Sequence, residues 1–198
     1  RATQERASQP LRNVLTATST LPELVTSAED GSDRVANVVI EEIAADRTRP
    51  HGKRFGTLVH AVLSGIQLNA NAENIGAVAA TQGRIVGASD KEIEAAIEIA
   101  QQVVRHDVIK TGAEAMLSGK CRRESPVTLK LKSDVLIEGV VDLAYQDPHR
   151  EKLWVVVDYK TDYEIRGRLE EYKKQVWLYA LAISRATGMK TQPVLLRV

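Results

Sequence analysis

The chain has 198 residues, 43% of them hydrophobic, which is enough for one ordinary hydrophobic core with an appended segment. Its 27 Lys and Arg residues nearly balance 26 Asp and Glu residues, which excludes a polybasic protein that coats nucleic acid non-specifically. A single cysteine, Cys121, excludes an internal disulfide framework and any four-cysteine zinc or iron–sulfur site. We therefore expect a cytoplasmic location, and we expect no membrane span because no apolar run approaches ~20 residues.

Residues 1–33 predict a linker or loosely packed arm, because their periodicity is weak and Ser, Thr, Pro and acidic residues are frequent. The chain opens with Arg1 rather than Met, so we expect a fragment of a longer protein in which residues 34–198 form the folded domain. Residues 35–46 are compatible with either a short helix or a short strand.

The first clear helix is predicted from Phe55 to Gln67, whose apolar residues form a single stripe. His60 lies at the edge of this stripe, with Gly56 and Ser64 one turn away on either side. Small neighbours would let another group approach the imidazole closely, although lone histidines are more often structural. Both interpretations of His60 stay open at this point.

Three more helices are predicted before the chain changes to strands. The second of them begins with a capping box formed by Ser89 and Glu92. A break is expected at Gly83 to Gly87. The predicted spans are 71–82, 89–106 and 108–118.

The second half of the chain predicts strands, one long helix and a last strand. Pro126 indicates an edge position or an irregular start for the first strand, at 122–131. The runs VLIEGVVDLAY and LWVVVDYK, separated by QDPHREK, predict a hairpin. A helix after Asp162 ends near Gly188, and a strand follows. We therefore predict an α/β domain with a mixed sheet and its chemistry at strand ends.

Each strand of the hairpin carries an acidic residue near its end, Asp142 in the first and Asp158 in the second. Lys160 follows Asp158 by two residues, and residues i and i+2 of a strand point to the same face. An ionised group is costly to bury without a partner, so ordinary core roles are improbable for these residues. Two carboxylates can hold Mg²⁺ through oxygen ligands, and a lysine beside them can stabilise negative charge that develops on a phosphate.

Short basic clusters could contact nucleic acid, although charge runs usually only solvate a surface. They are Lys120 with Arg122 and Arg123, Lys130 with Lys132, Arg166 with Arg168, and Lys173 with Lys174.

From Lys53 to Leu196 the sequence resembles the RecB-like branch of the PD-(D/E)XK nuclease superfamily. Six segments carry this resemblance in order: GKRFGTLVHAVL with His60, GRIVGASDKEIEAAIEIAQQVVRHDV, CRRESPVTL with Glu124, EGVVDLAY with Asp142, WVVVDYKTD with Asp158 and Lys160, and EYKKQVWLYALAI with Tyr172, Gln175 and Tyr179. The resemblance implies a restriction-endonuclease-like core, a mixed central sheet flanked by helices, with a helical insert.

The resemblance also implies roles for individual residues. Asp142, Asp158 and Lys160 would be catalytic, and His60 and the carbonyl of Tyr159 would join the two acids as metal ligands. Gln175, Tyr179 and Tyr172 share one helix face and would position the substrate or the catalytic groups, with core packing an equal alternative for the two tyrosines. Glu124 would be structural or would order the site from outside the ligand set.

The implied activity is that of a Mg²⁺- or Mn²⁺-dependent deoxyribonuclease, exonuclease or endonuclease, without an iron–sulfur cluster. It resembles the C-terminal nuclease domains of RecB- and AddA-type helicase–nucleases of DNA repair and recombination. The expected partners are DNA, single-stranded in particular, and a helicase in the same chain or complex. Two alternatives stay open: a catalytically inactive domain that binds DNA or a protein partner, and a nuclease active only when a helicase feeds it a strand.

Overall fold

The computed structural model describes residues 14–16, 37–43, 49–131, 136–161 and 165–198. Within these residues there are six strands and five helices. In chain order they are β1 (Val14–Thr16), β2 (Val39–Glu42), α1 (Lys53–Gly65), α2 (Ala72–Val86), α3 (Asp90–Arg105), α4 (Asp107–Leu117), β3 (Cys121–Lys130), β4 (Leu136–Gln146), β5 (Leu153–Lys160), α5 (Ile165–Thr187) and β6 (Lys190–Arg197).

The six strands form one mixed sheet, which confirms the predicted α/β fold. Its central order is β1-β4-β5-β6-β2, and β3 pairs with the other edge of β4. The contacts of β4 with β3 and β5 are antiparallel, whereas β1–β4, β5–β6 and β6–β2 are parallel. The parallel pair β5–β6 is joined by α5, because two parallel neighbours need a crossover connection.

The helices cover the two faces of the sheet and create two hydrophobic clusters. On one face, α1 to α4 pack against Leu143, Tyr145, Val155 and Val157. On the other face, α5 packs against Ile137, Val141, Ala144 and Val156. We call these the α1 side and the α5 side. Strand β5 is buried on both sides, so its apolar run is continuous and lacks the alternation of a half-exposed strand.

Most predicted elements are confirmed, including the hairpin, the edge position of Pro126 and the capping box of Ser89 and Glu92. Residues 39–42 of the ambiguous segment form a strand. Within the predicted arm, Val14–Thr16 pair with β4, and the other residues of the arm lie outside the described part of the chain. No helix in the described ranges is long and apolar enough to cross a membrane.

The predicted break at Gly83 is wrong, because α2 continues to Val86 and ends at Gly87, which has a φ of 66°. A Cβ on Gly83 would lie 2.5 Å from atoms of the Ile93 side chain. This glycine therefore permits close packing of α2 against α3. The sequence pattern could not distinguish that role from a helix stop.

Candidate active site

The two acidic residues of the hairpin lie opposite each other where β4 and β5 separate. The last paired position joins Leu143 to Val157, and Asp142 and Asp158 are the next residues on their strands. The main-chain N–H of Tyr159 donates to Asp142 Oδ2 at 2.7 Å. A side-chain carboxylate thus satisfies a donor of β5 that lies beyond the end of the paired ladder.

The opening between the strands arises because β4 changes partner along one edge. Residues 136–138 pair with β1 and residues 143–146 pair with β5, so 139–142 lie between the two described pairings. A cleft of about 610 Å³ opens beside this stretch. Its lining includes Pro126, Thr128, Glu138, Val140, Asp142, Asp158, Lys160, Gln175 and Tyr179.

In both β3 and β4, the alternation of side chains between the two faces of the sheet is interrupted near Asp142. In β4, Val141 packs on the α5 side, whereas Leu143 packs on the α1 side, although a regular strand would place both on one face. In β3, Cys121 packs on the α1 side and Val127 on the α5 side. Glu124, between them, has a φ of 45°, which is uncommon for a residue other than glycine. Asp142 lies opposite Glu124 on β4, so helices on both sides of the sheet can contact it.

Asp158 and Lys160 point the same way along β5, as the two-residue spacing predicts. The Lys160 ammonium forms an ion pair with Asp158 Oδ2. Only 3% of the Asp158 side chain and 16% of the Lys160 side chain are exposed. Within the described residues, Asp158 Oδ2 has no partner with hydrogen-bond geometry. A buried carboxylate oxygen with a single cationic neighbour keeps a lone pair for a further cation.

His60 reaches the same acids from α1. Its Nδ1 lies 3.7 Å from Asp142 Oδ1, and its ring meets the Tyr159 ring edge-on with centroids 6.3 Å apart. Burial lowers the pKa of His60 and the charge of Lys160 lowers it further, whereas Asp158 and a hydrogen bond to the Tyr159 main chain oppose this. The imidazole is held towards its neutral form, which is the form that binds metals.

A glycine lets α1 approach the end of β5. A Cβ on Gly56 would lie 2.8 Å from Thr161 Oγ1, which is closer than real Cβ contacts allow. Gly56 is one turn before His60, so this close approach brings the histidine towards the acids. The lack of a Cβ at Gly56 leaves room for the side chain of Thr161, which follows Lys160 directly.

The pKa of Asp142 is raised well above its usual range, first by burial and then by the charge of Asp158. Lys160 and the N–H of Tyr159 act in the opposite direction, and Glu124 raises it further. Two carboxylates on adjacent strands, with Asp158 buried and Asp142 largely buried, repel each other. One ammonium compensates them only in part, so the pair favours additional positive charge.

The residues around this pair fit a divalent cation by the chemistry of their donor atoms. Two carboxylates, a histidine held towards its neutral form and a main-chain oxygen are suitable ligands for Mg²⁺ or Mn²⁺. In the described part of the chain, no group of three or more His, Cys, Asp or Glu side chains is already arranged to hold a metal. Both acids are instead bound to protein groups, Asp142 to the Tyr159 N–H and Asp158 to Lys160. Side-chain rotation would be needed to complete the ligand set.

Helix α5 places Gln175 and Tyr179 in the wall of the cleft. Both are almost completely buried, and Gln175 Nε2 donates to the Tyr179 hydroxyl at 3.2 Å. A Cβ on Gly139 would lie 2.3 Å from Tyr179 Cε1, so the ring packs directly on the β4 main chain. Burial and the charge of Asp158 raise the pKa of Tyr179. The Gln175–Tyr179 pair therefore combines core packing with a position in the cleft.

Tyr172, one turn earlier on α5, contacts the lysine of the site. The Lys160 Nζ lies 5.2 Å from the centroid of the Tyr172 ring, within the range of a cation–π interaction. The Arg168 guanidinium carbon lies 5.0 Å from the same centroid. Sequence reasoning placed Tyr172 on the substrate groove but missed both contacts. Arg168 lies four residues earlier on the same helix, a local spacing that could have indicated its contact. Lys160 belongs to β5, and no helical spacing reveals that contact.

Arg123 was also missed as a residue that fixes the site. Its guanidinium donates to the carbonyl of Ile66 at 2.6 Å and to the carbonyl of Leu63. Both acceptors belong to the end of the helix that carries His60, where carbonyls lack partners within the helix. Its position beside Arg122 in the sequence suggested only a basic surface cluster.

A profile of the PD-(D/E)XK nuclease superfamily matches residues 34–197. The chain belongs to this superfamily. The match covers both hairpin acids, Lys160, His60 and the α5 residues, and it confirms the restriction-endonuclease-like α/β fold. Members of the PD-(D/E)XK superfamily typically use divalent metal ions.

Curated relatives of this nuclease domain carry the names of ATP-dependent helicase/nuclease subunits. Those from Thermoanaerobacter sp. (strain X514) and Thermoanaerobacter pseudethanolicus are 34% identical over 98 residues, which is 40% of this chain and 8% of theirs. The one from Acetivibrio thermocellus is 40% identical over 62 residues, 29% of this chain and 5% of its own. The chain therefore matches less than a tenth of the length of these relatives.

Proposed function

We propose that this domain is a metal-dependent deoxyribonuclease that hydrolyses phosphodiester bonds. Its substrate would be single-stranded DNA delivered by a helicase in the same chain or complex, in DNA repair or recombination. The observation that carries the proposal is the juxtaposition of Asp142, Asp158 and Lys160 at the fork between β4 and β5, beside an open cleft.

His60, Asp142, Asp158 and the carbonyl of Tyr159 would hold the cation. When bound, a divalent cation lowers the pKa of a coordinated water and neutralises charge on phosphoryl oxygens. The two acids supply most of the negative charge that such an ion needs. Without the ion, the single charge of Lys160 compensates their two negative charges only in part. The metal could be Mg²⁺ or Mn²⁺, since both prefer oxygen ligands.

Lys160 would stabilise the phosphate during cleavage. Its ammonium is largely enclosed beside Asp158 and opens onto the cleft, so an incoming phosphate oxygen can accept a hydrogen bond from it. A charged donor in a partly dehydrated site stabilises developing negative charge more than it does in water. The proton on the leaving oxygen would come from solvent, because the cleft is open.

The near-neutral charge of the chain supports delivery by a helicase. Phosphate contacts dominate the affinity of proteins for DNA, and 27 basic residues against 26 acidic ones provide few in excess. The names of the relatives support the same partner, since they name a helicase and a nuclease together.

A cleavage assay with matched variants tests this proposal. End-labelled single- and double-stranded DNA would be incubated with the protein in Mg²⁺, in Mn²⁺ and in excess EDTA. Asp158→Asn and Lys160→Met should each lower the cleavage rate by at least about 100-fold, while circular dichroism shows retained folding. Asp147→Asn is the control, because Asp147 is a buried acid at the far end of the same hairpin and should leave cleavage unchanged.

The alternative, an inactive domain that binds DNA or a partner, makes different predictions. It gives DNA binding that metal does not affect and no products on either substrate, alone or with a helicase. Cleavage that persists in EDTA, or in both site variants, would overturn the metal-dependent mechanism.

A further inference from the structure

One aromatic ring on α5 contacts two cations from different elements. Tyr172 has the Lys160 Nζ at 5.2 Å and the Arg168 guanidinium carbon at 5.0 Å from its ring centroid. Both distances are within the roughly 6 Å over which a cation is attracted to an aromatic face. The ring therefore connects the lysine of the site to an arginine that belongs to the beginning of α5.

The two positive charges are close enough to contact one nucleic-acid strand. Since both lie near the same ring, Lys160 Nζ and the Arg168 guanidinium carbon are at most about 10 Å apart. One or two nucleotides of a flexible strand span such a distance. Their exposure differs, because 16% of the Lys160 side chain is exposed against 52% of the Arg168 side chain.

The Glu171 carboxylate would not prevent Arg168 from binding phosphate. Arg168 Nε donates to Glu171 Oε2 at 3.1 Å, and 55% of the Glu171 side chain is exposed. Exposed ion pairs are weak because water solvates both partners. A phosphate can accept two parallel hydrogen bonds from a guanidinium, so it competes well with such a carboxylate.

We propose that Lys160, Tyr172 and Arg168 form a phosphate-binding subsite for two successive phosphates of the substrate strand. Lys160 contacts the phosphate that is cleaved, Arg168 binds a neighbouring one, and Tyr172 is the positioning residue that holds both cations. This inference rests on the proposed function and adds to it the part of the DNA strand that the domain binds.

Binding of a labelled single-stranded oligothymidine tests the subsite directly. Fluorescence anisotropy in Ca²⁺, over a range of NaCl concentrations, gives the affinity and its salt dependence. Arg168→Met should weaken binding roughly fivefold and reduce the slope of log affinity against log salt by about 0.7, the contribution of one phosphate on a single strand. Glu171→Gln should change affinity in the opposite direction, because it removes a negative charge that repels phosphate beside Arg168.

Arg185→Met is the matched control for Arg168→Met. Arg185 is also an exposed arginine on α5, but 17 residues further along, so about 25 Å away. It bonds to the carbonyl of Lys130 instead of the Tyr172 ring. Its loss should leave the salt slope unchanged, which distinguishes a specific contact from a reduction of overall charge.

Variants of the ring test its positioning role. Tyr172→Phe keeps the aromatic face and should retain more of the salt slope than Tyr172→Leu does. Tyr172→Leu should reproduce the lost salt slope of Arg168→Met and also lower the cleavage rate at saturating DNA. Behaviour of Tyr172→Phe like that of Tyr172→Leu would overturn the role of the ring.

The outcomes separate this inference from the proposed function. If the unaltered protein binds and cuts DNA but Arg168→Met keeps the full salt slope, the subsite is wrong and the nuclease proposal stands. If the unaltered protein neither binds nor cuts DNA, both fail.

Discussion

The main-chain N–H of Tyr159 donates to Asp142 Oδ2 at 2.7 Å, across the fork between the two strands of the hairpin. The acid that we expect to bind metal is therefore also the group that satisfies the β5 main chain where strand pairing stops. The hydrogen bond that Asp142 accepts from the β5 main chain and its proposed role as a metal ligand have opposite effects on the stability of the metal-free domain. Its oxygen stabilises the fork, but its buried charge next to Asp158 is unfavourable until a cation arrives.

Replacing Asp142 by Asn should stabilise the metal-free domain while abolishing cleavage. Asparagine keeps an acceptor for the Tyr159 N–H but removes one of two repelling charges. We expect the free energy of unfolding at pH 7 to rise on the order of 1 kcal/mol, as for other functional sites relieved of strain. Because the pKa of Asp142 is raised, its unfavourable effect should be absent at low pH and appear as the carboxyl ionises. Urea unfolding in EDTA measures this, and equal or lower stability of the variant at pH 7 would contradict it.

Glu92 should make the stability of the domain depend on pH in the acid range. Hydrogen bonds from the Ser89 main chain, then from Arg54 and the Ser89 hydroxyl, lower the pKa of Glu92 from 4.5 to about 2. Its contribution should be complete above pH 4.5 and disappear as the pH falls towards 2, because the protonated acid loses these bonds.

The measurement compares urea midpoints of the unaltered protein and Glu92→Gln between pH 2 and pH 7. The difference should be constant at neutral pH and vanish at the acid end. Glu94→Gln, on the exposed face of the same helix, is the control and should show no such trend. A difference that persists at pH 2 would argue that packing, not charge, accounts for Glu92.

Arg123 should contribute more to stability than its neighbour Arg122. Arg123 donates to two carbonyls at the end of α1, whereas among the described residues Arg122 donates to the nearby carbonyls of Gly119 and Cys121. Arg123→Met should lower the free energy of unfolding by about 1–3 kcal/mol, because partly buried carbonyls lose a charged donor. Arg122→Met should change it by less than about 0.5 kcal/mol. Equal effects in chemical unfolding would contradict this assignment.

Gly139→Ala should disturb the wall of the cleft. The new Cβ would lie 2.3 Å from Tyr179 Cε1 and 2.8 Å from its hydroxyl, so ring or strand must move. A loss of about 1–3 kcal/mol in stability is expected from such overpacking. Adding Tyr179→Leu should recover part of it.

Gly76→Ala provides a control of opposite sign. Gly76 lies in α2, and an added Cβ meets nothing within 4 Å. Alanine there should stabilise the domain by about 0.5–1 kcal/mol because it reduces the entropy lost on helix formation. Thermal unfolding of the two alanine variants separates the clash at Gly139 from the general effect of losing a glycine.

The sequence by itself determined most elements of the fold and the position of the acids and the lysine in the hairpin. The apolar stripe of α1, the capping box of Ser89 and the paired apolar runs depend on local periodicity and on hydrogen bonds between near neighbours. The same two-residue period placed Lys160 beside Asp158. These features can be predicted from the sequence because they involve residues at most a few positions apart.

Only the tertiary structure decided which residues meet across long stretches of chain. The contact of Gly139 with Tyr179, the bonds from Arg123 to α1 and the contact of Lys160 with the Tyr172 ring join elements whose relative positions no local pattern encodes. The fork itself has the same origin. Asp142 and Asp158 lie at its opening because β1 and β5 share one edge of β4, and that pairing depends on the packing of the whole sheet.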